Sequence, residues 1–404
     1  MVERMSDTRT DPAATGTREA AAHRLLLLDA LRFAAAVAVV VYHFTATPTA
    51  GAYLGGRPHE EFAAISGVTR YGWLAVELFF VLSGFVILMS AQGRNLAQFV
   101  GSRVGRLYPA FWAAVAITAL LQAWWPGGRQ PSLADTLLNL TMAPDLFGAV
   151  PVQVVFWTLL VELKFYVLVG VVVALGGFTP RRVVAFALLW PLAGMGAQAL
   201  GWSGVASMLV ASYAPYFGVG MILYLMRRDG VTGRLLATLA ATVAMGVHHL
   251  VPRAEHAARL QDVPVSVPVS VTVFALSVAA VWWASGPRAV VRTPWLATAL
   301  TVAGAITYPL YLVHTQFGYA AIELLGTGVS PWVSLAAALA VSTALSFAIH
   351  HAVEKRANRP LRKAVERALT TRRRPRTAAD GARAVAGARA RTDAGPYASS
   401  APVR

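Results

Sequence analysis

The chain has 404 residues, of which 56% are hydrophobic and 13% are charged, and it contains no cysteine. Soluble domains average about 25% charged residues, so this composition excludes an ordinary soluble enzyme. The net charge of +16 does not indicate nucleic-acid binding, because the basic residues lie in short loops between apolar segments and in the C-terminal tail, as membrane topology requires. The lack of cysteine excludes disulfides, Cys-ligated metals and thiol catalysis.

Long apolar runs recur along the chain and predict an all-α polytopic membrane protein with about ten transmembrane helices. The predicted spans are 25–44, 71–91, 107–125, 154–175, 183–200, 204–226, 235–251, 263–285, 295–317 and 332–353. Alternate loops are enriched in Lys and Arg, which places both termini in the cytoplasm. The bias toward Ala, Val, Arg and Gly is typical of a GC-rich bacterial genome, so we expect the plasma membrane of a bacterium.

Three regions follow from this pattern. Residues 1–24 are polar and are predicted to form a disordered cytoplasmic tail. Residues 25–353 are predicted to form one membrane domain, with no fused soluble domain. Residues 354–404 are basic and are predicted to form a cytoplasmic tail that contacts anionic lipid headgroups.

The first apolar stretch, residues 25–44, contains Asp29, Arg32 and His43. An arginine at the centre of a membrane helix costs on the order of 2.5–3.5 kcal/mol on insertion scales, so it usually faces protein or water. Arg32 and His43 are eleven positions apart, which puts them on one helix face, roughly 16 Å apart in depth. Imidazole is the usual general base near neutral pH, so this face indicates acid–base chemistry. The alternative is a local Asp29–Arg32 ion pair, with His43 only capping a polar interface.

Two carboxylates also lie inside predicted spans. Glu77 lies near the outer end of the second span, at about the depth of His43, and Glu162 lies inside the fourth. A buried carboxylate needs a partner, and Arg32 or His43 would serve for Glu162. Gly84 in the second span indicates close approach of another helix.

Arginines and a polar stripe complete the candidate residues. Arg103 and Arg106 lie three residues apart at the predicted cytoplasmic edge of the third span. They either hold phosphates through forked hydrogen bonds or anchor the span on its cytoplasmic side. In the ninth span, Tyr308, Tyr311 and His314 share one stripe that ends near the outer surface. This stripe is either the acceptor side of a site or an aromatic interfacial belt. We predict no metal site.

Taken together, these motifs resemble the acyltransferase 3 family of integral membrane O-acyltransferases. The resemblance covers roughly residues 25–363 and rests on LDALRFAAAVAVVVYHF, LFFVLSGF, RVGRLYP, FWTLLVELKFYVL, ITYPLYLVH and VEKRANRPLRK, which occur in family order. Members move an acyl group, often acetyl, from cytoplasmic acyl-CoA to a hydroxyl of a surface polysaccharide, peptidoglycan, lipid-linked sugar or secondary metabolite such as a macrolide. Arg32 and His43 match the arginine and histidine that the family needs for activity, and Arg103 with Arg106 matches its arginine motif. Glu77 stands where aspartate is more usual, and we expect no step at the C-terminal esterase-like domain of some members.

The resemblance implies a route through the bundle. Acyl-CoA, acetyl-CoA in particular, would be a donor substrate rather than a permanently bound cofactor, with its phosphates on Arg103 and Arg106 and its pantetheine arm passing Arg32. His43 would act as general base or carry the acyl group briefly, oriented by Glu162 or Glu77.

The expected partners are membrane lipid, acyl-CoA and a glycan or glycoside with a free hydroxyl, without nucleic acid. The oligomeric state is left open. A proton-coupled multi-pass transporter is the alternative function, since it would also bury charges in the membrane.

Overall fold

The computed structural model describes the backbone of residues 12–371 and the side chains of residues 26–371. This part of the chain contains helices and turns and no strand, which confirms the predicted all-α class. Its longer helices are α1 (Pro12–Thr45), α2 (Ala75–Ala91), α3 (Leu96–Trp124), α4 (Trp157–Ala174), α5 (Pro180–Ala199), α6 (Ala214–Asp229), α7 (Gly233–Gln261), α8 (Val267–Ala284), α9 (Pro294–Leu325), α10 (Pro331–Ile349) and α11 (Lys355–Thr371). The connections contain the short helices Pro48–Leu54, Pro58–Glu61, Ala63–Thr69, Leu133–Asn139 and Ser203–Met208, the 3-10 turns Gly72–Leu74, Pro144–Phe147 and Val154–Phe156, and a π-helical turn, His350–Glu354.

Nine stretches of the described chain are long and apolar enough to cross a membrane. They are Leu26–Thr45, Ala63–Ala91, Leu96–Trp124, Val154–Ala174, Pro180–Ala199, Gly233–Gln261, Val267–Ala284, Pro294–Leu325 and Pro331–Thr371. The protein is therefore a polytopic membrane protein, as predicted. The side of the membrane on which each terminus lies stays a prediction.

The predicted span at 204–226 is divided in the structure. The short helix Ser203–Met208 is followed by a turn in which Val210 has φ 55°, and α6 then has 16 residues. Pro215 stands in the first turn of α6, where it can begin a helix but cannot continue one, because it lacks an N–H. Nearly every α6 residue is buried, so α6 is a core helix of the bundle. Apolar length alone does not distinguish such a helix from a lipid-facing span.

The backbones of α2 and α6 are in direct contact. A Cβ atom on Gly84 would overlap the carbonyl oxygen of Phe217, and one on Gly220 would overlap the carbonyl oxygen of Val81. Small residues at such crossings allow membrane helices to approach closely. This confirms the packing role predicted for Gly84 and fixes α2 at the centre of the bundle, where it also contacts α1, α4 and α8.

The C-terminal helix α11 lies along the first half of α3. Gly101 and Gly105 make room for it, because a Cβ on Gly101 would lie 3.0 Å from the Arg362 carbonyl oxygen and one on Gly105 would lie 2.8 Å from that of Asn358. α11 occupies the first part of the segment predicted as a basic tail, and α1 begins at Pro12, inside the predicted N-terminal tail. Residues 1–11 and 372–404 of these two predicted tails lie outside the described residues.

Gly220→Ala should destabilise the bundle by about 1–3 kcal/mol, because overpacking a close helix contact forces the backbones apart. Thermal unfolding in detergent would measure the loss. Gly196→Ala on α5 is the matched control, since its Cβ would meet nothing within 4 Å. An equal loss of stability in both variants would contradict the assigned contact.

Candidate functional site

Three arginines meet at one cavity in the helix bundle. Arg32 from α1 and Arg103 and Arg106 from α3 line a cavity of about 140 Å³, together with Glu162 from α4. α3 begins eleven residues earlier than its predicted span, at Leu96, with a capping box formed by Asn95 and Gln98. Arg103 and Arg106 are therefore two to three turns inside a helix and share one side of it. The structure brings together the residues predicted to hold the donor.

The cationic groups in this cavity are only partly neutralised. Arg32 Nη1 lies 3.2 Å from Asp29 Oδ1, the local ion pair that their spacing allows. Arg103 donates from Nη2 to Ser102 Oγ at 3.1 Å, and its buried Nε has no partner among the described residues. Arg106 is exposed. Guanidinium groups with free N–H donors are suited to bind phosphate or carboxylate groups.

Glu162 belongs to the arginine cavity. Its Oε1 accepts a hydrogen bond of 2.7 Å from Ser83 Oγ, so Ser83 has a polar role while the adjacent Gly84 makes the helix contact. Tyr308, the first residue of the predicted stripe, also lines this cavity and donates from its hydroxyl to the Leu107 carbonyl oxygen at 3.2 Å.

His43 lies in a second and larger cavity, of about 740 Å³. Its ring centroid is 5.2 Å from that of His314, which is fully buried. His314 Nδ1 lies 2.9 Å from the Tyr311 carbonyl oxygen. Because a carbonyl can only accept, Nδ1 carries the proton and Nε2 is the unprotonated nitrogen. That Nε2 has no partner among the described residues.

Among the side chains that the structure describes, no carboxylate is brought to His43. Glu77 is 1% exposed, and its Oε1 lies 2.9 Å from Nη2 of Arg253. Glu162 is bonded to Ser83 in the other cavity. Depth along the bundle axis suggested both as partners of His43, but depth does not determine which helix faces which. Within residues 26–371, the ring beside His43 from another helix is that of His314.

The two cavities meet at a pair of hydroxyl groups. Val76, Thr158 and Tyr311 line both of them. Thr158 Oγ1 and the Tyr311 hydroxyl lie 2.7 Å apart, and both lie within hydrogen-bond distance of the Val155 carbonyl oxygen. The predicted stripe on α9 therefore runs past both cavities, and its middle residue, Tyr311, lines both of them.

Sequence reasoning gave no role to Trp73, His249 or Arg253, although all three line the His43 cavity. The seventh predicted span ends at 251, which leaves Arg253 in a loop. α7 instead continues to Gln261, so His249 and Arg253 lie four residues apart on one helix face. The spacing of four residues between His249 and Arg253 was the sequence pattern that could have indicated this part of the site. Among the described residues, no cluster of His, Asp and Glu could hold a metal ion.

The geometry can be compared with known proteins. The family model described as an acyltransferase domain matches residues 25–351, which is most of the chain. The chain belongs to the acyltransferase 3 family. It is similar to acyltransferase MdmB of Streptomyces mycarofaciens, at 26% identity over 323 residues that cover 72% of this chain and 78% of that protein. It also resembles the exopolysaccharide production protein ExoZ of Rhizobium meliloti (strain 1021), at 30% identity over 105 residues, or 24% of this chain and 32% of that protein. No solved structure matches it significantly.

Family membership decides between the two functions that the sequence left open. The protein is an acyltransferase of the membrane, the first of these two functions. Its charged residues inside the bundle belong to an enzyme's cavities.

Glu77→Gln should lower the free energy of unfolding by about 3–5 kcal/mol, because it leaves Arg253 buried without its counter-charge. Glu60→Gln is the control: Glu60 is paired with Arg57 at 3.7 Å, but both side chains are more than 60% exposed, so the expected loss is below about 1 kcal/mol. Chemical denaturation of the purified variants would measure both. Adding Arg253→Gln to Glu77→Gln should restore part of the stability, and full additivity of the two changes would contradict the pairing.

Proposed function

We propose that this enzyme transfers an acyl group, acetyl in the first instance, from acyl-CoA to a sugar hydroxyl of a glycan or glycosylated metabolite. The observation that carries the proposal is the pair of cavities in series. One contains three arginines, the other contains His43, and the Thr158–Tyr311 hydroxyl pair lies between them. This arrangement suits an anionic donor entering from one end of the bundle and a neutral acceptor at the other.

The arginine cavity is suited to the donor. Acyl-CoA carries several phosphates, and Arg103 and Arg106 offer guanidinium N–H groups that bind such oxygens. The cavity volume of about 140 Å³ is below the roughly 300–1,000 Å³ of a pocket that encloses a whole ligand. We therefore place the narrow pantetheine arm inside it, beside Arg32, and the nucleotide outside at the exposed Arg106.

His43 is suited to activate the acceptor. In the proposed step, the acceptor hydroxyl attacks the thioester carbonyl carbon while His43 takes its proton. The tetrahedral intermediate then releases the CoA sulfur, which takes the proton from His43, and the products are an ester and free CoA. The hydroxyls of Thr158 and Tyr311 lie where the thioester would arrive, and each could turn from the Val155 carbonyl oxygen to donate to the developing oxyanion. His314 would position the His43 ring.

The similar proteins support the choice of acceptor and location. One is named an acyltransferase and the other an exopolysaccharide production protein, which agrees with transfer to a glycan or glycosylated acceptor. Both come from bacteria, and we place this enzyme in the bacterial plasma membrane with acyl-CoA and the acceptor as its partners.

His43→Ala should reduce acyl transfer by about 10²–10⁴-fold, the usual contribution of a general base. Thiol released from acetyl-CoA in the presence of glycan and glycoside acceptors would measure it, and a protein without cysteine adds no thiol background. His351→Ala is the control, because His351 is an exposed histidine on the connection to α11. If the His43 variant kept more than about a tenth of the activity, the general-base assignment would be wrong.

Arg103→Gln should raise the KM for acetyl-CoA by about tenfold or more, because a charge-assisted hydrogen bond to phosphate contributes about 1.5–3 kcal/mol. The same change should leave the KM for acetyl-pantetheine nearly unaltered, since that donor lacks the phosphates. Initial rates with both donors give the comparison, and Arg288→Gln, at an exposed loop position, is the control. An equal rise for both donors would place Arg103 elsewhere in the mechanism.

A further inference from the structure

Three residues that line the His43 cavity carry buried nitrogen atoms without partners. They are Trp73 Nε1, His249 Nε2, and Nε and Nη1 of Arg253, none of which has a hydrogen-bond partner among the described residues. Trp73 and His249 are each 7% exposed. Roughly nine in ten buried polar groups in proteins are hydrogen-bonded, so several unpaired groups on one cavity wall need an explanation.

These residues come together from two separate elements. Trp73 lies in the 3-10 turn before α2, and His249 and Arg253 lie one turn apart on α7. The guanidinium of Arg253 lies 4.5 Å from the ring centroid of Tyr213 and 5.7 Å from that of Trp73. Ion pairing with Glu77 at 2.9 Å holds the guanidinium in this place. The cluster is therefore fixed in position before any ligand arrives.

We propose that Trp73, His249 and Arg253, called here the Trp73 cluster, form the subsite that holds a neutral sugar of the acceptor beside His43. The inference deepens the proposed function and rests on its acceptor being a hydroxyl-bearing molecule. Indole and guanidinium N–H groups need oxygen acceptors, which a sugar ring offers at high density. The rings of Trp73 and Tyr213 add apolar surface for the sugar C–H groups.

The charge balance of the Trp73 cluster selects a neutral ligand. Glu77 compensates the charge of Arg253 at close range, so the Trp73 cluster and Glu77 together carry no net charge when His249 is neutral. Glu77 is not among the residues that line the cavity, but its carboxylate lies 2.9 Å from the guanidinium, so it offsets the attraction of Arg253 for an anionic sugar. A sugar without carboxylate or phosphate therefore fits the subsite better than a uronic acid does.

The shape of the site leaves space for the rest of the acceptor. The His43 cavity, at about 740 Å³, falls within the roughly 300–1,000 Å³ typical of ligand pockets. A further cavity of about 400 Å³ shares Gln198, Ser212 and Tyr213 with it. The sugar that receives the acyl group would occupy the inner space beside His43, and the remainder of the glycan or aglycone would extend into the outer one.

Saturation-transfer NMR titration of full-length protein with methyl glycosides tests the subsite. The probes are the methyl glycosides of glucose, mannose and rhamnose, with methyl glucuronide as the anionic comparison, in a detergent without sugar. Neutral glycosides should bind the wild type, and Trp73→Phe, which removes the N–H and keeps an aromatic ring, should weaken them about fivefold. Arg253→Lys should weaken them further. Trp283→Phe is the matched control, because Trp283 is 63% exposed, and it should bind like the wild type.

Three results would overturn the proposal. They are no binding of any neutral glycoside, equal binding by the Trp73→Phe and Trp283→Phe variants, and tighter binding of the glucuronide than of the neutral glycosides. Thermal unfolding of each variant separates loss of binding from loss of fold, and the two cluster variants check each other. The titration needs neither acyl-CoA nor turnover. Failure of the thiol-release assay with glycoside binding intact would remove the proposed reaction and keep the subsite.

Discussion

The burial of ionic groups inside an apolar bundle is the constraint on which the rest of the structure depends. A charge in the hydrocarbon region is costly unless it faces protein or water and finds a partner. Arg32 lies against Asp29, and Glu77 lies against Arg253. The arginine of each pair lines a cavity, so the requirement that pairs the charges also makes the cavities polar.

Helix α2 shows how one apolar helix meets several demands at once. Val76 and Ser83, seven residues apart, face the arginine cavity, and Glu77 faces Arg253. Gly84 lies on the side that contacts the backbone of α6. The contact with α6 cannot slide or widen without moving Ser83, and with it the hydrogen bond to Glu162. Close packing at Gly84 therefore holds the polar groups of the cavity in register.

Much of the bundle could be predicted from sequence because the signals are local. The length of the apolar runs predicts the membrane spans. Helical spacing predicts that Arg103 lies beside Arg106 and that Arg32 lies beside Asp29. What sequence could not give is which helix faces which. Depth in the membrane predicts carboxylate partners for His43, whereas its neighbour from another helix is His314.

The sequence also could not predict where the helices end. The apolar run of α7 ends before the helix itself ends. The last turns of the helix are packed on protein and carry polar residues such as His249 and Arg253. The span predicted at 204–226 was wrong for the opposite reason, since a largely buried core helix such as α6 has the same composition as a span. Both errors arise because burial by protein and burial by lipid select similar residues in different places.

On the proposed route, the hydroxyl pair of Thr158 and Tyr311 would control when the donor enters the His43 cavity. A thioester reaches the His43 cavity only when this pair, 2.7 Å apart, separates. Water in the larger cavity would compete with the acceptor for the thioester, because a general base at His43 would activate water as well as the acceptor hydroxyl. A closed pair keeps the donor carbonyl away from that water until an acceptor has displaced it. On this route, separation of the cavities would oppose wasteful hydrolysis, which gives a reason for His43 and the arginines to line different cavities.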